Sequence, residues 1–243
     1  MREIFRHGGA WLRADFLLRT RPDAGFRYDA TGPHDREQGG EYQTGESPSG
    51  GDFIEEYTNA LRKAGIRVGV IANRNGLDLD EFRALRKRAL AEDIFLLPGV
   101  ELLLNEGANG IRAVIVFSDD WIRGNDYVGS LIDVTLDRSG PGENAGSLRT
   151  LEGLLDLIEL LEEYRRDFFI VFPDVEGTSG LLREADGETL VRWFQHGLFQ
   201  RRVSAFLGVR SDERRAALRG LPGCRYPAEV EGGAPSRIEE IGG

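Results

Sequence analysis

The sequence is short of several side chains that catalytic and binding chemistry commonly uses, and each shortage excludes something. One cysteine, Cys224, rules out an intramolecular disulfide, and standing alone it reads as a loop or core thiol rather than a nucleophile. Three histidines, His7, His34 and His196, fall in a leading segment, a polar stretch and a helix end. None has HxH or HxxxH spacing at a strand end, so a His-based zinc site has no frame. Lys63 and Lys87 are the only lysines, and neither follows a glycine loop. There is no GxxxxGK[ST], no GxGxxG after a strand and no GxSxG, which removes P-loop, dinucleotide and serine-hydrolase readings. No apolar run approaches the roughly 20 residues that span a bilayer, and no charged-then-apolar leader is visible, so a cytoplasmic chain without a membrane partner is expected.

What is present is a globular composition. The 243 residues are 40% hydrophobic and carry 41 acidic against 31 basic side chains, a formal charge of −10. A chain of this length buries roughly 70–75% of its unfolded surface as one domain, and a single domain over residues 1–243 is expected. The acidic balance argues against a preformed nucleic-acid footprint, although a local basic groove is compatible with it.

Apolar, β-rich runs recur at Ala14 to Leu18, Arg67 to Ala72, Ile94 to Leu104, Ile111 to Phe117, Phe168 to Phe172 and Val203 to Leu207. Helical patterns lie between them at Asp52 to Ala64, Asp78 to Ala91, Leu148 to Tyr164, Glu188 to Phe199 and Ser211 to Leu218, several opening on an acid or a cap as at Asp52, Asp78 and Ser211. This alternation predicts an α/β fold with a parallel sheet. Leu151, Leu154, Leu155, Ile158 and Leu161 share one helical face, which predicts a core-packing helix. Residues 28–51 change to Gly, Ser, Pro, Thr and charge and predict a mobile insertion; Arg138 to Gly146 reads as a shorter loop.

Polar residues gather where strands are expected to end: Asp15 and Arg19 around Leu17, then Asn73, Arg74 and Asn75 after VGVIA, Glu101 after PGV, and Asp174 after VFP. Taken singly each is a cap or turn residue. Their recurrence at four strands favours a site, because α/β barrels build sites at strand C-termini.

The segments WLRADFLLRTRPDAGF, VGVIANRNGLDLDEFRAL, IFLLPGVELLL, IRAVIVFSDDW and FIVFPDVEGTSGLL, with the closing RYPAEVEG and SRIEEIGG, carry a resemblance. The chain resembles the PHP (polymerase and histidinol phosphatase) family, and within it the PHP domain at the N-terminus of bacterial proteins that continue into an SMC-like or AAA-like ATPase. The resemblance covers nearly the whole chain outside the insertion near 30–50. It implies a distorted, TIM-like (β/α)7 barrel whose strand ends hold Mn, Zn or Fe. It also implies phosphoester hydrolysis by water that metal ions activate.

The same resemblance shows where the ligands have gone. The family's DxHxHT is Asp15-Phe16-Leu17-Leu18-Arg19-Thr20 here, with Leu17 and Arg19 at both histidine positions. The second motif, an Asp or Asn followed by His, is Asn73-Arg74; Glu101 keeps the third motif's carboxylate; Arg112 and Asp174 stand at two further His positions. The closing Asp-x-His falls within Glu231-Gly232-Gly233-Ala234-Pro235, which offers neither group at the expected pair. Arginine is always charged and only donates hydrogen bonds, so Arg19, Arg74 and Arg112 oppose a cation wherever they point inward. Glu101, Asp174 and Asp15 can hold at most one weakly bound divalent ion, through water.

Three readings follow. The first is a PHP-type domain with a degenerate metal site, non-hydrolytic, with a structural or regulatory role beside an ATPase. The chain reaches Gly243 without a Walker motif, so the ATPase is expected on a separate chain or beyond this one. The second is residual metal-dependent phosphoesterase or nuclease activity on Glu101, Asp174 and Asp15. In the third, Arg19, Arg74 and Arg112 line a module that binds a phosphorylated ligand or nucleic acid without cleaving it. Internal pairing of the arginines with Glu101 and Asp174 would speak against that third reading.

Overall fold

The computed structural model describes residues 14–18, 50–74, 77–123, 147–148, 151–209 and 212–220. The predicted insertion at 28–51, apart from its last two residues, the loop at 138–146, and His7, His34 and Cys224 lie outside them. The chain divides into two compact units.

The first unit comprises Met1–Ile71, Asp78–Leu97 and Arg237–Gly243. Strand β1 (Ala14–Leu18) pairs parallel with β2 (Val68–Arg74), Asp15 standing opposite Gly69. Helix α1 (Gly50–Lys63) starts two residues before the expected Asp52, which therefore lies in the first turn rather than at the cap. Helix α2 (Leu79–Leu90) starts where its sequence says it should. The Glu81 N–H donates to Asp78 Oδ1 at 3.0 Å, and Leu79, Phe82, Leu85 and Ala89 bury one face. At the far end the Ile94 N–H closes on Ala89 O and the Phe95 N–H on Arg67 O.

The second unit comprises Ala72–Leu77 and Pro98–Ser236. Its sheet has five strands, β3 (Phe95–Leu104), β4 (Ile111–Phe117), β5 (Ser147–Leu148), β6 (Phe168–Phe172) and β7 (Val203–Phe206), in the order β5-β3-β4-β6-β7. The expected all-parallel sheet is not what forms. β4 runs antiparallel to both β3 and β6, while the β5–β3 and β6–β7 pairs are parallel. The reason is local: only the turn from Asn105 to Gly110 separates β3 from β4, which permits a hairpin but not a crossover helix. Among the described residues this sheet is open, with β7 at one edge, and does not close into the (β/α)7 barrel that the resemblance implies. The architecture is mixed α/β.

Helix α3 (Leu151–Glu163) buries Leu151, Leu154, Leu157, Ile158 and Leu161, with Leu155 at the margin, as its periodicity requires. The Leu151 N–H, which has no intrahelical acceptor, donates to Glu106 Oε1 at 2.9 Å. The single helix expected from Glu188 to Phe199 is two, α5 (Gly187–Gln195) and α6 (Gly197–Arg202), after the short α4 (Leu181–Glu184). The run breaks at exposed His196, whose backbone is extended (φ -75, ψ 126) between the two helices. Helix α7 (Asp212–Gly220) follows β7. Phe172, Phe194, Phe199, Phe206 and Trp193 form one aromatic group, and Phe117, Trp121 and Phe168 form a second. Each such ring contributes about 1.5–3 kcal/mol when buried.

Candidate active site

Strand β3 reads FLLPGVELLL and is buried along almost all its length, so Glu101, fully buried, is a charge with no water to solvate it. Its counter-charge comes from the next strand. Leu103 stands opposite Arg112 in the β3–β4 register and Glu101 opposite Val114, so Glu101 and Arg112 are diagonal neighbours on one face. Arg112 Nη2 lies 3.1 Å from Glu101 Oε2, and the Arg112 side chain keeps 20% exposure. Arg112 is anchored by its backbone too, its N–H donating to Ser179 O at 2.9 Å. Glu101 thus sits against the Arg112 guanidinium.

Asp174 follows β6 and Pro173 and adopts φ 42, a left-handed conformation uncommon for a side chain other than glycine. Two glycines make room for it. A Cβ on Gly177 would land on the Asp174 carboxylate, and one on Gly208 would stand 2.8 Å from Asp174 Cα. The Gly177 N–H closes the turn on Asp174 O at 2.8 Å. Strain of this kind is held only where the surroundings over-determine it. Arg112 pairs with Glu101 and not with Asp174.

Of the other expected site residues, Asn73 is buried near the end of β2. Asp15 and Leu17 lie in β1, and Arg74 closes β2, but their side chains are outside the described residues, as are Arg19 and the segment from Glu231 to Pro235. The structure therefore brings together Glu101 and Arg112 of the candidate set. Among the described residues no group of three or more His, Cys, Asp or Glu side chains is placed to hold a metal ion.

Sequence patterns gave no sign of a carboxylate clamp beside Arg112. Glu184 of α4 accepts from the N–H groups of Ala108 and Asn109 at 2.7 and 3.0 Å and from Asn109 Nδ2 at 2.9 Å, fastening the tip of the β3–β4 turn. Ser179 Oγ donates to Asn109 O at 3.0 Å, so the residue that receives the Arg112 N–H also holds this turn. The bond from the Asn109 side chain, and those from the two backbone amides, lower the Glu184 pKa although the group is exposed. No local pattern announces this clamp, because its partners are more than 70 residues apart.

The chain matches no protein-family model and is similar to no curated protein. Among solved structures it aligns with one described as a candidate metal-dependent phosphoesterase from Bifidobacterium adolescentis. The alignment has TM-score 0.44 and 10% identity over 86% of this chain and 82% of that one. A likeness of that size transfers no residue role. What the described residues define is a mixed α/β protein with a buried Glu–Arg pair and, after β6, an Asp in a left-handed conformation. No helix among them is long and apolar enough to cross a membrane.

Proposed function

We propose that this chain is a PHP-type α/β domain whose metal centre has been replaced by internal charge pairing. It acts as a non-hydrolytic, structural or regulatory domain beside an SMC-like or AAA-like ATPase. The observation that carries the reading is the Arg112 Nη2 contact with Glu101 Oε2 at 3.1 Å, with the carboxylate fully buried. In the family it resembles, a carboxylate at this position serves divalent cations. Here a guanidinium from the adjacent strand supplies the positive charge and the hydrogen bond, and a cation entering the same place meets Arg112 first. The donor set does not fit a multi-metal centre, so no hydrolytic step is routed through one. Pairing also keeps Arg112 from presenting a free fork to a phosphate, which weakens the phosphate-binding reading at this residue.

Hydrolysis of phosphomonoester and phosphodiester probes in the presence of Mn, Zn or Fe tests the proposal. The parent chain is expected to give no turnover above a metal-only blank. Metal-dependent turnover that disappears in Glu101→Gln would overturn the proposal and restore the phosphoesterase reading.

A further inference from the structure

At one end of the first unit the charge runs against the rest of the chain. Both lysines of the protein sit there, Lys63 in the last turn of α1 and Lys87 in the last turn of α2. Glu92 ties the two helix ends together, lying 3.6 Å from Arg62 Nη1 and 2.8 Å from Arg88 Nη1. The strand starts join the same end, because the Phe95 N–H bonds Arg67 O and the Arg86 guanidinium covers the Phe95 ring at 5.4 Å from its centroid. Six cations, Arg62, Lys63, Arg67, Arg86, Lys87 and Arg88, thus share this end with two carboxylates, Glu92 and Asp93.

Two features separate this cluster from ordinary helix-end chemistry. Basic residues in a last turn do complement the helix dipole, and that alone accounts for one or two per helix. Yet Lys63, Arg67 and Lys87 are exposed and, among the described residues, join no ion pair. Beside them Leu90 is 49% exposed, one of two large hydrophobic residues left so among the described residues. An exposed apolar side chain in the same helix end as Lys87 and Arg88 suits a partner that offers carboxylates around an apolar residue. It suits a nucleic acid less well, because the exposed members of the cluster include no aromatic face on which a base could stack.

We infer that the α1–α2 C-terminal end is a docking surface for an acidic polypeptide segment that places an apolar side chain against Leu90. The attraction is electrostatic and short-ranged, so it speeds association and fades with salt. This inference is independent of the charge-replaced metal site.

The test is fluorescence polarisation of a labelled peptide of glutamates with spaced leucines, titrated at low salt with the full chain. Lys63→Gln/Lys87→Gln and Leu90→Ser variants are run beside it, with a single-stranded oligonucleotide of equal charge as the competing probe. Saturable binding is expected to weaken about tenfold in the double variant, measurably in Leu90→Ser, and again when salt is raised. Unchanged unfolding midpoints in both variants would show that binding, not helix stability, was altered. The inference is overturned if the peptide does not bind or if neither substitution weakens it. It is equally overturned if the oligonucleotide binds better with no dependence on Leu90, or if the double variant binds as the parent but melts early, as a role limited to the helix dipoles requires.

Discussion

Glu101 and Glu162 are both paired with arginine, and the contrast between them shows what burial does to an ion pair. Glu162, at the end of α3, is 24% exposed and has two partners, Arg202 Nε at 2.9 Å and Arg201 Nη2 at 3.1 Å. Glu101 has Arg112 at 3.1 Å and no exposure at all. The more exposed pair is the less consequential one. Water competes for Glu162 and screens it, whereas an unpartnered Glu101 would be a bare charge inside a sheet.

The largest effect is therefore expected at the buried Glu101–Arg112 contact. Arg112→Met should lower stability by roughly 3 kcal/mol, the lower end for a broken buried pair because Arg112 retains some solvent. Denaturant unfolding measures this, and Arg112→Met with Glu101→Leu should recover most of the loss. An equal loss in the double variant would mean that packing, not charge, sets the effect. Gly208→Ala comes next, costing about 2 kcal/mol, because it places a Cβ 2.8 Å from Asp174 Cα at φ +75.

Glu162→Gln sharpens the comparison from the exposed side, with an expected loss of about 0.5–1 kcal/mol that shrinks in high salt. Arg202→Ala should cost more than Glu162→Gln, since Arg202 also lies 4.4 Å over the Phe168 ring. For Glu162 burial raises the pKa, but hydrogen bonds and charge from Arg201 and Arg202 outweigh it and the net shift is downward.

The smallest effect is local. The Glu184 pKa is lowered in the folded chain from 4.5, so its contribution is fully present above that value and is lost as pH falls through the folded pKa. Hydrogen exchange at the Ala108 and Asn109 amides should quicken in Glu184→Gln at neutral pH, with little change in global unfolding. In the parent, acidification below 4.5 should loosen the same turn, and unchanged exchange there would remove Glu184 as its fastener.

Much of this fold was legible. The six apolar runs are strands, and the face of Leu151, Leu154, Ile158 and Leu161 packs as its spacing says, because periodicity records burial directly. Strand direction was not legible, since an apolar run reads the same in either sense and only the short Asn105 to Gly110 turn decides it. Two short elements, β5 and α4, carry too few residues to leave a pattern. At the site, an ion pair was among the uses that Arg112 and Glu101 suggested, but which arginine meets which acid depends on the β3–β4 register. The Glu184 clamp depends on tertiary approach alone.

The central claim is that Arg112 takes the place of a metal ion at Glu101. The most direct measurement is the metal content of the purified full chain by inductively coupled plasma mass spectrometry, after growth with Mn, Zn and Fe. A variant carrying Leu17→His, Arg19→His, Arg74→His and Arg112→His is prepared in parallel. The parent is predicted to carry far less than one equivalent, with metal gained by the variant. Stoichiometric metal in the parent, lost on Glu101→Gln, would contradict the account.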